Sequence, residues 1–222
     1  MPRDFRTRAI VLRRTNYGES DRILNLITPE GKVAALARGV RKEKSRLAGG
    51  IELFSIADVV IHEGRSSLGT LTSAQMIKFH SNILTELSRL ELASECLKKI
   101  DRAAEQVDDP EFFSLLEQAL DGLDRHLSTD LIQAWFCLNL ARVSGEEPNL
   151  ACDTAGEDLR PDISYLWDST DSALFSHPQG NISGSEIKFA RFLLTNPLQA
   201  SARVSNYQQL LDPLEPIIRA YL

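Results

Sequence analysis

Alternating apolar and polar positions dominate the first 80 residues, and helical spacing dominates the rest. Ala9-Ile10-Val11-Leu12, flanked by Arg6, Arg8, Arg13 and Arg14, predicts a strand over 6–15. Asn16-Tyr17-Gly18-Glu19-Ser20 has turn chemistry, and Asp21 to Thr28 forms a second strand with Ile23, Leu24, Leu26 and Ile27 apolar. Pro29-Glu30-Gly31 is a tight turn, because proline presets φ and glycine tolerates positive φ. Over Lys32 to Val40, the residues Val33, Ala35 and Ala37 can share one side, and Ala34, Leu36 and Arg38 the other. Leu53 to Glu63 is a fourth strand, Gly64-Arg65-Ser66-Ser67 a turn, and Leu68 to Phe79 a fifth strand with Leu68, Thr70, Thr72 and Ala74 on one face. Five strands have too little face area for a two-sheet sandwich, and closure removes exposed edges. The prediction is a small closed barrel of OB type.

The period changes near His80. Ile83, Leu84, Leu87, Leu90, Leu97 and Ile100 recur at three- and four-residue spacing, with Glu86, Arg89, Glu91, Glu95, Lys98 and Lys99 between them, which predicts an amphipathic helix. Asp108-Asp109-Pro110-Glu111 is a helix start, followed by the stripe Phe112, Leu115, Leu116, Ala119, Leu120 and Leu123. A third helix opens at Ser128-Thr129-Asp130, carries Leu131, Ile132, Trp135, Phe136, Leu138 and Leu140, and ends near Ser144-Gly145. Glu146 to Pro161 is polar, acidic and aperiodic. Tyr165-Leu166-Trp167 and Ala173-Leu174-Phe175 flank Asp168-Ser169-Thr170-Asp171 as a short hairpin. Ser183-Gly184-Ser185-Glu186 precedes a helix with Ile187, Phe189, Ala190, Phe192, Leu193 and Leu194. In the final stretch Pro213 and Pro216 kink or break the helical pattern. The fold class is therefore α+β: an N-terminal five-stranded OB-type barrel over 1–80, then an α-helical domain over 81–222 with an irregular insert near 146–180.

Charge sharpens this division. The chain has 222 residues and a net charge of −6, yet residues 1–80 hold 14 Lys and Arg against 8 Asp and Glu, while residues 81–222 hold 11 against 23. Opposite charge in two modules suggests different partners, or simple attraction between the modules. The positive charge is clustered: Arg38 to Arg46 packs five cations and one anion into nine residues. Three cysteines, Cys96, Cys137 and Cys152, lie far apart, which suits a reducing compartment and no disulfide framework. The start MPRDFRTRAI has no apolar run of signal-peptide length, and no window reaches the length of a membrane span. A cytoplasmic location is expected.

The candidate chemistry is phosphate contact. Arg6, Arg8, Arg13 and Arg14 lie on strand one, Arg22 and Lys32 near the next turns, and Arg38, Arg41, Lys42, Lys44 and Arg46 in the loop. Such cations neutralise phosphates and release counterions without sequence preference; a merely solvated basic face is the alternative. Aromatics are sparse in this module. Phe54 and Phe79 read as core, and Tyr17, beside a turn glycine, is the best candidate for base stacking. The module thus leans on backbone charge more than on stacking. Cys152 and His177 are two candidate ligands where zinc needs four, so no metal and no cofactor is expected. G-x-S-x-G, Walker A and GxGxxG patterns are absent, and His62 and His80 read as structural, so no catalytic residue is expected.

Several runs stand in order along the first module: Ala9-Ile10-Val11-Leu12-Arg13, Tyr17-Gly18-Glu19-Ser20-Asp21-Arg22-Ile23-Leu24, Thr28-Pro29-Glu30-Gly31-Lys32 and Ala37-Arg38-Gly39-Val40-Arg41. The most specific is Lys44-Ser45-Arg46-Leu47-Ala48-Gly49-Gly50, followed by Leu53-Phe54-Ser55. Together they resemble the bacterial RecO family of recombination mediators. Beyond residue 80 the likeness is one of pattern and length. The resemblance implies an N-terminal OB domain and a helical C-terminal domain. It implies binding of single- and double-stranded DNA, annealing of complementary strands, and help in loading RecA onto DNA coated by the single-strand-binding protein SSB, with RecR as partner. Many members carry a four-cysteine zinc site in the helical domain; here Cys152 in Asn149-Leu150-Ala151-Cys152-Asp153 stands alone, and zinc is not expected. The family's usual basic tail would follow Arg219-Ala220-Tyr221-Leu222, so its DNA contacts are not expected of these residues. The leading expectation is a non-enzymatic mediator of DNA repair and recombination. The alternatives are a basic-barrel scaffold that docks acidic proteins and, third, a metal-dependent phosphoesterase.

Overall fold

A computed structural model describes residues 3–63 and 68–222, so the predicted turn Gly64-Arg65-Ser66-Ser67 lies outside the described residues, as do Met1 and Pro2. Backbone contacts divide the chain into two compact units, Met1–Arg125 and His126–Leu222.

Unit one begins with strands β1 (Arg3–Tyr17), β2 (Asp21–Thr28), β3 (Gly31–Ala37), β4 (Ser55–Glu63) and β5 (Gly69–Phe79). They close into a barrel in the order β1-β2-β3-β5-β4, with all pairs antiparallel except β3 with β5. Closure follows from the alternation: Ala9, Val11, Leu24, Leu26, Ala35, Ala37, Ala57, Val59 and Ile61 pack together as the interior. Strand β5 departs from strict alternation. Extra residues in its pairing with β4, near Leu71 and again near Ile77, shift the register. Leu71 and Ala74, three residues apart, are therefore the ones that pack inward, in place of a single face running from Leu68 to Ala74.

The run Ala9-Ile10-Val11-Leu12 is buried throughout because both faces of β1 are covered. Ala9 and Val11 face the interior. Ile10, paired with Ile27 and Ile56, lies on the outer wall, where helices α1 (Leu87–Ala103) and α2 (Glu111–Asp124) pack. In α2, Asp109 accepts a hydrogen bond from the Glu111 amide at 2.7 Å, which starts the helix. Its predicted stripe, Phe112, Leu115, Leu116, Ala119, Leu120 and Leu123, is buried in full, at about 1.5–3 kcal/mol per large side chain. The strand-to-helix change falls at residue 80, but the first compact unit runs to Arg125 because these helices cover the barrel wall.

The predicted first helix is altered at its start. Residues 81–85 form a 3₁₀ turn, and α1 begins only at Leu87. Three residues per turn shift the stripe out of phase, leaving Leu84 and Leu87 exposed at 52% and 70%. Arg89 is buried in their stead: it pairs with Glu86 at 3.1 Å and donates to the Leu123 carbonyl near the end of α2.

Unit two holds α3 (Thr129–Val143), whose cap Ser128 accepts from the Leu131 amide. Within the stretch expected to be irregular, Asn149–Asp153 forms β6, which runs parallel to β8 (Ala173–Ser176); β8 pairs antiparallel with β7 (Tyr165–Asp168) as the predicted hairpin. Helix α4 (Gly184–Thr195) opens with the Ser183 amide donating to Glu186. The last segment is broken as its prolines require. It comprises α5 (Leu198–Ser201), α6 (Tyr207–Leu211), a 3₁₀ turn through Pro213 and α7 (Glu215–Ala220) with Pro216 in its first turn. No helix is long and apolar enough to cross a membrane among the described residues.

Candidate nucleic-acid interface

The basic segment joins β3 to β4 and is pinned at both ends. At its start Gly39 takes φ +62°, where a Cβ is unfavourable, and its amide donates to Asp21 Oδ1 at 2.7 Å. That hydrogen bond, with the Ser20 hydroxyl and the charges of Arg38 and Lys42, holds the Asp21 carboxyl below its usual range. The Arg41 amide donates to the Ser20 carbonyl at 2.9 Å, and its guanidinium to the Gly18 carbonyl at 3.3 Å. The loop therefore leans on the β1–β2 turn. At its end Leu47 and Ala48 pack against the barrel interior, and residues 48–50 make a 3₁₀ turn. A Cβ on Gly50 would lie 2.5 Å from the Ala74 carbonyl oxygen, so only glycine lets the loop close on β5. Leu47-Ala48-Gly49-Gly50 thus anchors a loop whose cations lie between the two fastenings.

The sequence-predicted cations divide into two groups. Arg38, Arg41, Lys42, Lys44 and Arg46 are exposed, and none forms an ion pair among the described residues. Arg22, whose Nε donates to Asn16 Oδ1 at 3.2 Å, and Tyr17, 56% exposed, sit beside them on the β1–β2 hairpin.

The remaining cations are engaged within unit one. Lys32 is 14% exposed; its Nζ lies 2.6 Å from Asp101 Oδ1 and 3.0 Å from Glu105 Oε1. Arg13 reaches the other Asp101 oxygen at 3.1 Å. Burial alone would raise the Asp101 pKa, but the bonds from Lys32 and Asn25 and the charges of Lys32 and Arg13 hold it below the usual range. Arg8 pairs with Glu117 at 3.1 Å and lies 5.0 Å above the Phe113 ring. Arg14 pairs with Glu52 at 2.8 Å, and Arg6 reaches Asp58 at 3.5 Å. One wall of cations running from strand one into the loop is not what the geometry shows. The helices α1 and α2 place acids against Arg8, Arg13 and Lys32, and no local pattern in the sequence signals partners so far along the chain.

His80, fully buried, sits where the barrel meets α2. Its Nδ1 lies 2.6 Å from the Phe54 carbonyl and its Nε2 2.7 Å from Asp121 Oδ1. Both ring nitrogens thus lie within hydrogen-bond distance of an oxygen. Lys78 also bonds to Asp121. Phe54 is buried as expected, but at φ +60° in a turn, whereas Phe79 is 38% exposed and is not core. Cys96 and Cys137 are buried, and Cys152 lies in β6 with Sγ 3.7 Å from Asp158. Among the described residues no group of three or more His, Cys, Asp or Glu could hold a metal.

Two family models match the sequence over nearly all of the chain. The family model for the N-terminal part of recombination protein O matches residues 1–80, and that for its C-terminal part matches residues 84–222. The DNA repair protein RecO of Dehalococcoides mccartyi strain CBDB1 is 31% identical over 227 aligned residues, covering 99% of this chain and 89% of that protein. That of Roseiflexus sp. strain RS-1 is 31% identical over 228, covering 99% and 80%. That of Rubrobacter xylanophilus is 35% identical over 158, covering 70% and 63%.

Proposed function

The chain belongs to the RecO family of DNA repair and recombination proteins, and on that premise we propose that its barrel binds DNA through the β3–β4 loop. The observation that carries this reading is the division of the cations. Arg38, Arg41, Lys42, Lys44 and Arg46 stand exposed and form no ion pair among the described residues, although the Asp21 carboxylate feels the charges of Arg38 and Lys42, while Arg8, Arg13 and Lys32 are neutralised within unit one. Exposed cations on a pinned loop exchange condensed counterions for phosphate contacts, which gives affinity for single- and double-stranded DNA alike. The β1–β2 hairpin adds Arg22 and Tyr17 beside the loop.

Annealing requires no covalent chemistry, and the protein acts as a mediator and not as an enzyme. Neutralising the phosphates of two complementary strands lowers their repulsion and raises their local concentration. In the cytoplasm the mediator would act on SSB-coated strands, with RecR, to help RecA load. The test is a titration of a labelled oligonucleotide across salt, with wild type and the quadruple variant R41A/K42A/K44A/R46A. Each lost phosphate contact lowers the slope of log K against log salt by about 0.7 for a single strand. Absence of binding at low salt, or an unchanged slope in the variant, refutes the reading. A second assay follows annealing of dye-labelled complementary strands, bare and SSB-coated, with and without RecR.

A further inference from the structure

The turn between β1 and β2 offers three oxygens to the basic loop. The Gly18 carbonyl accepts from the Arg41 guanidinium, the Ser20 carbonyl from the Arg41 amide, and Asp21 Oδ1 from the Gly39 amide at 2.7 Å. Asp21 reaches the loop because β2 lies beside β3: its neighbour Arg22 stands opposite Ala37, the last residue of β3 before the loop. A charged acceptor holds an amide more strongly than a carbonyl does. From Gly39 the order passes along the backbone. The Gly39 carbonyl accepts from the Lys42 amide at 3.1 Å, and the Lys42 carbonyl from the Ser45 amide at 3.0 Å, which makes two consecutive turns. The Lys42 stem runs beside Gly39, where a Cβ would lie 3.7 Å from Lys42 Cδ. Ser45 Oγ in turn accepts from the Leu47 amide at 3.3 Å, where the packed end of the loop begins. Arg41, Lys42 and Lys44 thus ride on turns that start from one carboxylate. Yet that carboxylate is an anion among cations: the charges of Arg38 and Lys42 act on it, and phosphate is repelled by it. Electrostatics alone would leave it out of a phosphate site, so geometry has to account for it.

We propose that Asp21 is a positioning residue for phosphate binding: by holding the Gly39 amide it sets the course of the turns that carry Arg41, Lys42 and Lys44, while adding one negative charge to the site. This role rests on the DNA-binding reading above and belongs to a residue that itself touches no phosphate. Its two effects have opposite signs. The hydrogen bond favours binding, because a loop already in shape loses less freedom when phosphate arrives. The charge opposes binding, and salt screens that opposition.

Asp21→Asn and Asp21→Ala separate the two effects, since both lack the charge and only Asn keeps an oxygen for the Gly39 amide. Each is titrated beside wild type with a labelled oligonucleotide across salt. At low salt Asp21→Asn should bind about threefold more tightly than wild type, and the advantage should fade as salt rises. Asp21→Ala should bind about fivefold more weakly than Asp21→Asn, the worth of one hydrogen bond. Its salt slope should be lower by about 0.7 for each phosphate contact the displaced loop gives up. Hydrogen exchange in peptides spanning residues 38–47 should be faster in Asp21→Ala alone, with α2 peptides unchanged, which shows unit one still folded. Equal binding by the two variants leaves Asp21 with a charge effect only and overturns the positioning role, while the loop reading stands. Weakening in Asp21→Ala accompanied by faster exchange in α2 overturns it as well, because the loss then belongs to the fold of unit one. Asp21→Asn binding more weakly than wild type overturns the opposed signs. Failure of wild type to bind at low salt refutes the DNA reading itself.

Discussion

Replacing Asp121 by Asn keeps its volume and removes its charge from the junction between the end of β5 and α2. In the wild type Asp121 is largely buried, with His80 Nε2 at 2.7 Å and Lys78 bonded to the same oxygen; Arg125 lies 3.9 Å from the other. Burial pushes its pKa up, but the hydrogen bonds from His80 and Lys78 outweigh that and bring it from 3.8 down to about 2. A shift of this size corresponds to about 2 kcal/mol of folding stability at neutral pH. Because the folded pKa lies below the unfolded one, the stabilisation is complete above about pH 5 and is lost as pH falls towards 2. By pH 3 about 1 kcal/mol of it should be gone. Asp121→Asn should therefore be less stable than wild type by about 2 kcal/mol at pH 5.5, and the gap should close by about half at pH 3. Both tryptophans, Trp135 and Trp167, lie in the other unit, so their fluorescence does not report this junction. Hydrogen exchange on peptides from α2 and β4, measured in a urea series at each pH, does. A gap of the same size at pH 5.5 and pH 3 would show that charge pairing is not what holds the junction.

Gly50→Ala should destabilise unit one by about 1–3 kcal/mol, since its Cβ meets the Ala74 backbone, whereas Gly49→Ala, with open space around it, should stay within about 0.5 kcal/mol in the same exchange assay. Lys32→Ala should cost about 1–3 kcal/mol by stripping Asp101 of its nearest cation, with the DNA salt slope unchanged. Lys42→Ala should do the reverse, lowering the slope by about 0.7 with little change in stability. Glu186→Ala removes the carboxylate that accepts from the Ser183 amide and hydroxyl, and should lower the unfolding midpoint of unit two by an amount equal to about 1 kcal/mol, read by tryptophan fluorescence.

What the sequence made legible was local. Interior alternation on β2 and β3, the α2 stripe and the starts at Asp109, Ser128 and Ser183 all depend on residues within a few positions of one another. What it hid depended on distant partners or on a broken period. The inward placement of Leu71 and Ala74 follows from register shifts against β4, and the exposure of Leu84 and Leu87 from one 3₁₀ turn. Strand β6 has little strand-like alternation of its own; it exists because β8, some twenty residues later, offers an edge. Arg13 and Lys32 looked equivalent to the loop cations because Asp101, their partner, comes from a helix that follows Lys32 by 69 residues and Arg13 by more still.

The same comparison explains why net charge is a poor guide to where this protein can hold a polyanion. The barrel strands carry cations as the loop does, but a strand presents its side chains to whatever packs on the wall. Here that is α1 and α2, whose Asp101 and Glu117, with Glu105 in the turn after α1, take up Lys32, Arg13 and Arg8. A loop at the rim is covered by neither helix. Its charge remains available only if the loop holds its shape without acidic partners, because five like charges in nine residues repel one another. The fastenings supply that shape from uncharged contacts: the Arg41 amide on the Ser20 carbonyl, Leu47 and Ala48 in the core, Gly50 against Ala74. Asp21 is the exception, one carboxylate placed beneath the loop at Gly39, where it orders the turn while leaving Lys44 and Arg46 uncompensated. The availability of this charge thus comes from the packing around it, and a variant that loosens Leu47 to Gly50 should weaken DNA binding even though it removes no cation.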